Sequence, residues 1–320
     1  MSDESILITG IAGFVGRHLT DLLRKSGDYK IFGTILPGEQ PQQDGSLDDV
    51  SLIECRIEDR SGIESAINQA RPSVVYHLAA QSSVARSLSD PSGTFQANVM
   101  GTLNLLESLR GSTELRALVL VSSAEVYGVV PESALPVTED QNLDPSNPYA
   151  CSKACADLLG AQYFKTFNVP VIRVRPFNHI GPGQADGFAA SSFAKQIAEI
   201  EAGVRPPQIR VGNLEAKRDF TDVRDIVRAY ILTSQRSVPG EAYNICSGAA
   251  VSMHEILDML LSLTTSQVEV VPDPERMRPS DLPILLGDCS KFRNTTGWSP
   301  EIPLDQTLRD LLYYWRARVG

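Results

Sequence analysis

Residues Ser5–Leu19 read "SILITGIAGFVGRHL": an apolar, β-branched run, then Gly10, Gly13 and Gly16 at three-residue intervals, then the start of an amphipathic pattern. That order predicts a strand, a tight turn and a helix. Glycines in such a turn let an anion approach the backbone, where N–H groups at the positive end of the helix receive it. A plain strand-to-helix turn would need fewer glycines. Dinucleotide binding is the better reading if this strand opens an α/β sheet.

The rest of the first half supplies that sheet. "YKIFGT", "VVYHLAA", "ALVLVSS" and "VPVIRVRP" are further short strands, and "GTLNLLESLR" and "SKACADLLGAQYFKTF" are helical runs between them. Strands alternating with helices predict an α/β fold, a doubly wound parallel sheet with helices on both faces. The polar stretch "LPGEQPQQDGSLDDV", Leu36 to Val50, reads as a mobile surface loop. After about Phe177 proline and irregular stretches increase, and a second, smaller α/β lobe is expected. "EAYNICSG" looks like one more strand returning to the first sheet. The expected division gives 1–176 and 219–247 to the sheet domain, and 177–218 and 248–320 to the second. Ser252 and Glu255 are spaced as a capping box.

Composition narrows the function. The chain has 320 residues and a net charge of -10, which disfavours nucleic acid and anionic lipid as partners. No apolar run approaches the roughly 20 residues that span a bilayer, and "MSDESILITG" lacks the basic start of a secretory signal, so a cytoplasmic location is expected. Five scattered cysteines imply reduced thiols. The four histidines show no metal-ligand spacing, and no metal is expected.

Three further stretches carry chemistry. An acid at the end of the second strand would bind the ribose hydroxyls of NAD and repel the extra phosphate of NADP. "FGTIL" puts Thr34 there with no arginine close behind, which leaves both cofactors open and leans toward NADP. In "NPYACSK", Asn147 and Pro148 suit an N-cap and first helical residue, so Tyr149 and Lys153 fall on one face of the first turns. The ammonium is expected to lower the phenol's pKa and make Tyr149 a proton carrier for an alcohol oxygen. "VSSAEVYG" places Ser122, Ser123 and Glu125 at the carboxyl end of a strand, on the ligand-binding rim. Ser123 can then polarise the oxygen and Glu125 can take a proton from carbon; the alternative is a capped strand end with Glu125 in solvent.

Together "GIAGFVG", "HLAAQSSV", "NVMGT", "SSAEVYG", "YACSK", "RPFNHIGPGQ" and "KRDFTDVRD" resemble the extended short-chain dehydrogenase/reductase family over nearly the whole chain. The resemblance implies a Rossmann domain and a nucleotide-sugar substrate. It makes Tyr149 the acid/base, Lys153 its partner at the nicotinamide ribose, and Ser123 the polarising hydroxyl. Gly10, Gly13, Phe14, Val15, Gly16, Thr34, Leu78, Ala79, Ala80 and Asn98 are the implied dinucleotide contacts, with Tyr149 and Lys153. Gln81, Ser83 and Asn178 are the implied sugar-side contacts. Asn213, Arg218 and Arg278 come from the second lobe, and the two guanidinium groups suit a pyrophosphate clamp unless they pair with Asp219 or Asp281. One departure is "ECRIED", where Arg56 replaces an acid that holds the adenine, with Asp59 as the substitute. His77 is expected to pack beneath the cofactor, and Cys151 and Cys155 to pack on the catalytic helix.

Within the family the likeness is strongest to enzymes of GDP-deoxyhexoses. It implies NAD(P)H-dependent reduction of the C4 ketone of GDP-4-keto-6-deoxy-D-mannose to GDP-D-rhamnose. The alternatives are a GDP-mannose 4,6-dehydratase or another nucleotide-sugar 4-epimerase, and, outside catalysis, an NADP-sensing regulator. A homodimer through the Tyr149 helix and the helix of residues 101–110 is implied as well.

Overall fold

The computed structural model describes residues 4–41, 45–277 and 282–319. In chain order the strands are β1 (Ser5–Thr9), β2 (Lys30–Ile35), β3 (Ser51–Glu54), β4 (Val74–His77), β5 (Ala117–Val121), β6 (Val171–Pro176), β7 (Asn178–Ile180), β8 (Gln208–Val211), β9 (Lys217–Asp222), β10 (Ala242–Ile245), β11 (Ala250–Ser252), β12 (Glu269–Pro272) and β13 (Ile284–Leu285). The helices are α1 (Phe14–Ser26), α2 (Arg60–Ala70), α3 (Val84–Ser89), α4 (Pro91–Phe95), α5 (Gly101–Leu109), α6 (Pro148–Phe167), α7 (Ala189–Glu201), α8 (Val223–Arg236), α9 (Met253–Leu261), α10 (Ser290–Thr296) and α11 (Leu304–Val319).

Seven strands form one parallel sheet in the order β10-β6-β5-β4-β1-β2-β3. All five residues of β1 are buried, as a strand covered on both faces requires. Side chains alternate between two cores. Ile6 and Ile8 of β1 join the core that includes Leu19 of α1 and Tyr230 of α8, while Leu7 joins the one with Ile63 of α2 and Leu105 of α5. Chain order reverses between β1 and β4. This switch point opens the crevice in which a doubly wound sheet takes its ligand.

A smaller layer stands over the carboxyl edge. β9 pairs with β7, β11 and β13, β8 pairs with β12, and α7, α9 and α11 close a separate core. β10 returns to the main sheet beside β6, as "EAYNICSG" predicts. The chain also comes back later than its sequence suggests, for Leu282, Leu285, Phe292 and Trp298 pack in the first sheet's core. The Ser252–Glu255 capping box is present on α9. None of the five cysteines forms a disulfide. Among the described residues no helix is long and apolar enough to cross a membrane.

Candidate active site

The glycine turn has the shape its spacing predicts. Gly10 adopts φ +70°, and a Cβ there would lie 3.0 Å from the Ala79 backbone, so the turn can press against the loop after β4 only with glycine. A Cβ on Gly16 would fall 2.4 Å from the Ile11 carbonyl oxygen. Gly13 caps α1 without any side-chain hydrogen bond, and the first turn carries no acid. Helix N–H groups and their positive dipole end therefore face the crevice, a cradle that fits a dinucleotide pyrophosphate.

Thr34 does not stand on the rim. It is buried, its carbonyl accepts from the Gly10 and Ile11 amides at 3.2 Å, and its hydroxyl accepts from Gly10 N–H at 3.2 Å. Thr34 thus holds the glycine turn to β2. The exposed residue just past the strand is Leu36, whose amide donates to the Glu39 carboxylate at 2.9 Å. Asp59 is likewise committed: it caps α2, accepting from Ser61 N–H at 3.0 Å and Ser61 O–H at 2.7 Å.

Beyond β4, Leu78, Ala79 and Ala80 line the crevice, half-buried. His77 lies beneath them between two hydroxyls, Nδ1 2.8 Å from Thr9 Oγ1 and Nε2 3.1 Å from Thr102 Oγ1. Thr102 donates its proton to the Asn98 carbonyl, so Nε2–H donates to Thr102 and the imidazole is neutral. Burial, with the Lys153 charge second, pushes His77 down to about 3. Asn98 binds both backbone groups of Gln81, at 2.8 and 3.0 Å, and Ser152 Oγ at 2.9 Å. It ties this loop to α6. Gln81 bonds in turn to Ser83 and Thr94, and Ser83 caps α3, so both side chains shape the loop.

The predicted chemical groups do come together. Asn147 caps α6 and Pro148 starts it, which stands Tyr149 and Lys153 on successive turns beside the end of β5. The Ser123 hydroxyl lies close enough to the Tyr149 phenol to influence its titration. Ser123 also opens a 3-10 turn, Ala124–Tyr127, by accepting from Glu125 N–H at 3.2 Å. Glu125 is only part-buried, and its carboxylate accepts from Asn147 Nδ2 at 3.1 Å.

The expected lowering of the phenol by Lys153 is not found. Burial first, then the Glu125 charge, raise the Tyr149 pKa, and the neighbouring Ser123 hydroxyl opposes them without prevailing. The Lys153 ammonium instead donates to the Val121 carbonyl at 2.7 Å. Burial brings Lys153 down to about 8, against the pull of Asp157 one turn further on. Asp157 accepts from Arg175 at 2.9 and 3.0 Å and from Arg173 at 2.8 Å. Burial alone would raise its carboxyl, but these two guanidinium groups more than offset that and hold it below the usual range. Arg175 also donates to Tyr127 O–H at 3.0 Å. This buried network under the catalytic helix had no signature in the sequence.

The sugar-side residues are only partly assembled. Asn178 starts β7, and its side-chain amide has no protein partner among the described residues. His179 stacks on Phe14, ring centroids 6.2 Å apart and planes within 9°. His18 Nε2 lies 2.8 Å from the Pro182 carbonyl, which braces the same loop on α1. Arg218 donates to the Lys217 and Leu282 carbonyls at 2.8 and 2.6 Å. Asp219 accepts from Ser247 N–H at 2.8 Å and Gly248 N–H at 2.9 Å. Asn213 is exposed, and Arg278 lies outside the described residues. Among the described residues no group of three metal-ligating side chains occurs.

A glycine cradle at the switch point, facing a Ser–Tyr–Lys set across the strand ends, defines a short-chain dehydrogenase/reductase of the extended type. Residues 7–311 match the model of the GDP-mannose 4,6 dehydratase family, and the chain belongs to that family. It is 37% identical over 316 residues to GDP-6-deoxy-D-mannose reductase of Pseudomonas aeruginosa, covering 99% of this chain and 98% of that protein. It is 27% identical to GDP-mannose 4,6-dehydratase of Vibrio cholerae, over 97% of this chain and 93% of that one. The solved structure of RMD from Pseudomonas aeruginosa complexed with NADPH superposes with a TM-score of 0.85 at 34% identity, covering 98% and 100% of the two chains.

Proposed function

We propose that the chain is a reductase of GDP-4-keto-6-deoxy-D-mannose, using NADPH or NADH and forming GDP-D-rhamnose. The observation that carries this direction is the 37% identity, over 99% of the chain, to GDP-6-deoxy-D-mannose reductase, against 27% to GDP-mannose 4,6-dehydratase. Reduction of a ketone needs an acid for the emerging alkoxide, whereas oxidation of an alcohol needs a base. The Tyr149 phenol, protonated at working pH, can perform the first task. The bound nicotinamide supplies the hydride to C4.

The protein's own groups do the remainder. Ser123 donates to the C4 oxygen, Tyr149 gives that oxygen its proton, and Lys153 restores charge balance as the phenolate forms. Gly10, Gly13 and Gly16 hold the dinucleotide, and residues 1–176 with 219–247 form its domain. Residues 177–218 with 248–320, apart from Leu282, Leu285, Phe292 and Trp298 in the first sheet's core, take the sugar nucleotide, with Asn178 at the sugar and Arg218 and Arg278 on its pyrophosphate. The location is cytoplasmic, and two copies pair through α5 and α6, where Leu158 is exposed.

Glu125 supports one rival. A 4,6-dehydratase uses such a carboxylate to remove a proton beside a transient ketone, and here Asn147 holds it near Tyr149. Stoichiometry separates the two reactions. With GDP-4-keto-6-deoxy-mannose, absorbance of reduced nicotinamide should fall by one equivalent per product, and GDP-mannose alone should yield no keto sugar. Conversion of GDP-mannose with no net cofactor use, abolished by Glu125→Gln, would establish the dehydratase instead.

A further inference from the structure

β2 and β3 are parallel neighbours with Ile35 opposite Glu54, and the Cys55 amide donates to the Ile35 carbonyl at 2.8 Å just past that pair. Two segments that are remote in sequence therefore leave the sheet side by side: Leu36–Glu39 and Arg56–Glu58. Both lie on the carboxyl edge, with β2 the direct neighbour of the strand that enters the glycine turn.

The first segment carries Glu39, and the second carries Arg56 and Glu58. Leu36 is the exposed residue just past β2, two beyond Thr34, and its amide is covered by the chain's own Glu39 carboxylate at 2.9 Å. An anion already sits, in effect, on that N–H, which shows that the position accepts one. Arg56 has a side chain 62% exposed, and its ion-pair contact among the described residues is Glu58 at 3.9 Å, beyond hydrogen-bond length. Its fork of donors can still receive a phosphate at two points. Asp59, the other candidate for this region, is spent on capping α2.

We propose that Arg56 and the Leu36 amide form the site that recognises the 2′-phosphate of NADPH, and that Glu39 covers the amide until the phosphate displaces it. Arg56, which stands where an acid was expected, is then the selector for the phosphorylated cofactor. Glu39 opposes it, by occupying the amide and by repelling the incoming anion. This rests on the dinucleotide reading of the glycine turn and is independent of which sugar is reduced.

Binding of NADPH and of NADH, each titrated by nicotinamide fluorescence with no sugar present, tests it. Arg56→Ala should weaken NADPH tenfold or more and leave NADH within twofold, and Arg56→Lys, which keeps charge without the fork, should fall between. Glu39→Gln should tighten NADPH several-fold while NADH stays the same or weakens. The NADPH affinity should also fall more steeply with salt than the NADH affinity, and Arg56→Ala should erase that difference. Equal loss of both dinucleotides in Arg56→Ala, with an unchanged melting temperature, overturns the phosphate role. An unchanged affinity ratio in Glu39→Gln overturns the cover. If the unaltered chain binds neither dinucleotide, the function proposed above fails rather than this assignment.

Discussion

Asn147 joins Glu125 to the start of the catalytic helix: its Nδ2 donates to the carboxylate at 3.1 Å while its Oδ1 accepts from Ala150 N–H at 2.8 Å. One amide thus fixes both the acid and the helix that carries Tyr149. Asn147→Ala should cost about 1 kcal/mol through the lost cap and lower turnover as well. Asn147→Asp retains a good cap but sets a second negative charge against Glu125. It should stay closer to the parent in denaturant midpoint yet lose comparable activity, a split that urea unfolding and initial rates would reveal.

Tyr149→Phe removes the phenolic oxygen and leaves the ring in place. Turnover should fall by about 10²–10⁴, the range for a positioned acid, with dinucleotide affinity within twofold of the parent. Retained activity in that variant would move the acid to another residue, Ser123 being the first to examine.

Asp157 neutralises two guanidinium groups beneath the helix, and its own side chain is fully buried. Asp157→Ala leaves Arg173 and Arg175 without their carboxylate, which should cost about 3–5 kcal/mol. Lys153 loses the charge that supports its protonation and should titrate lower still. Denaturant unfolding reads the first effect, and the pH dependence of turnover reads the second.

His77 sets part of the acid sensitivity. Its folded pKa is near 3, below the ordinary 6.5, so the unfolded chain binds the proton first as pH falls. Stability is fully present above pH 6.5 and drains away between there and the folded value, at up to about 1.4 kcal/mol per pH unit for one proton. His18 and His179, both lowered by burial, act in the same sense. Between pH 6.5 and 4.5 the unfolding free energy of His77→Gln should decline less steeply than that of the parent, by about one proton. Equal slopes would mean that His77 is protonated in the native protein.

What the sequence made legible was local. The glycine turn, the Asn147 cap, the Tyr149–Lys153 spacing and the alternation of strands with helices all depend on neighbours within a few residues. Contacts between distant segments were hidden. Thr34 reads as a rim residue if the strand stops with "YKIFGT", whereas β2 runs on to Ile35, and β3 gives no strand pattern because its residues are mostly exposed. The direction of Lys153 toward Val121, and the Asp157 network with β6, are choices made by packing across the sheet. No periodicity records them.

The stack of Phe14 on His179 has a consequence for the order of events. Phe14 is the first residue of α1, at the proposed dinucleotide cradle, and His179 follows Asn178, the proposed sugar contact. Under the proposed function the two ligands share a wall, and whichever arrives first bears the entropy of stiffening it. The second then meets a surface already set. Linkage makes the effect mutual, so the dinucleotide and the sugar nucleotide must strengthen each other's binding by one common factor, and an oxidised cofactor leaving the cleft loosens the grip on the finished sugar.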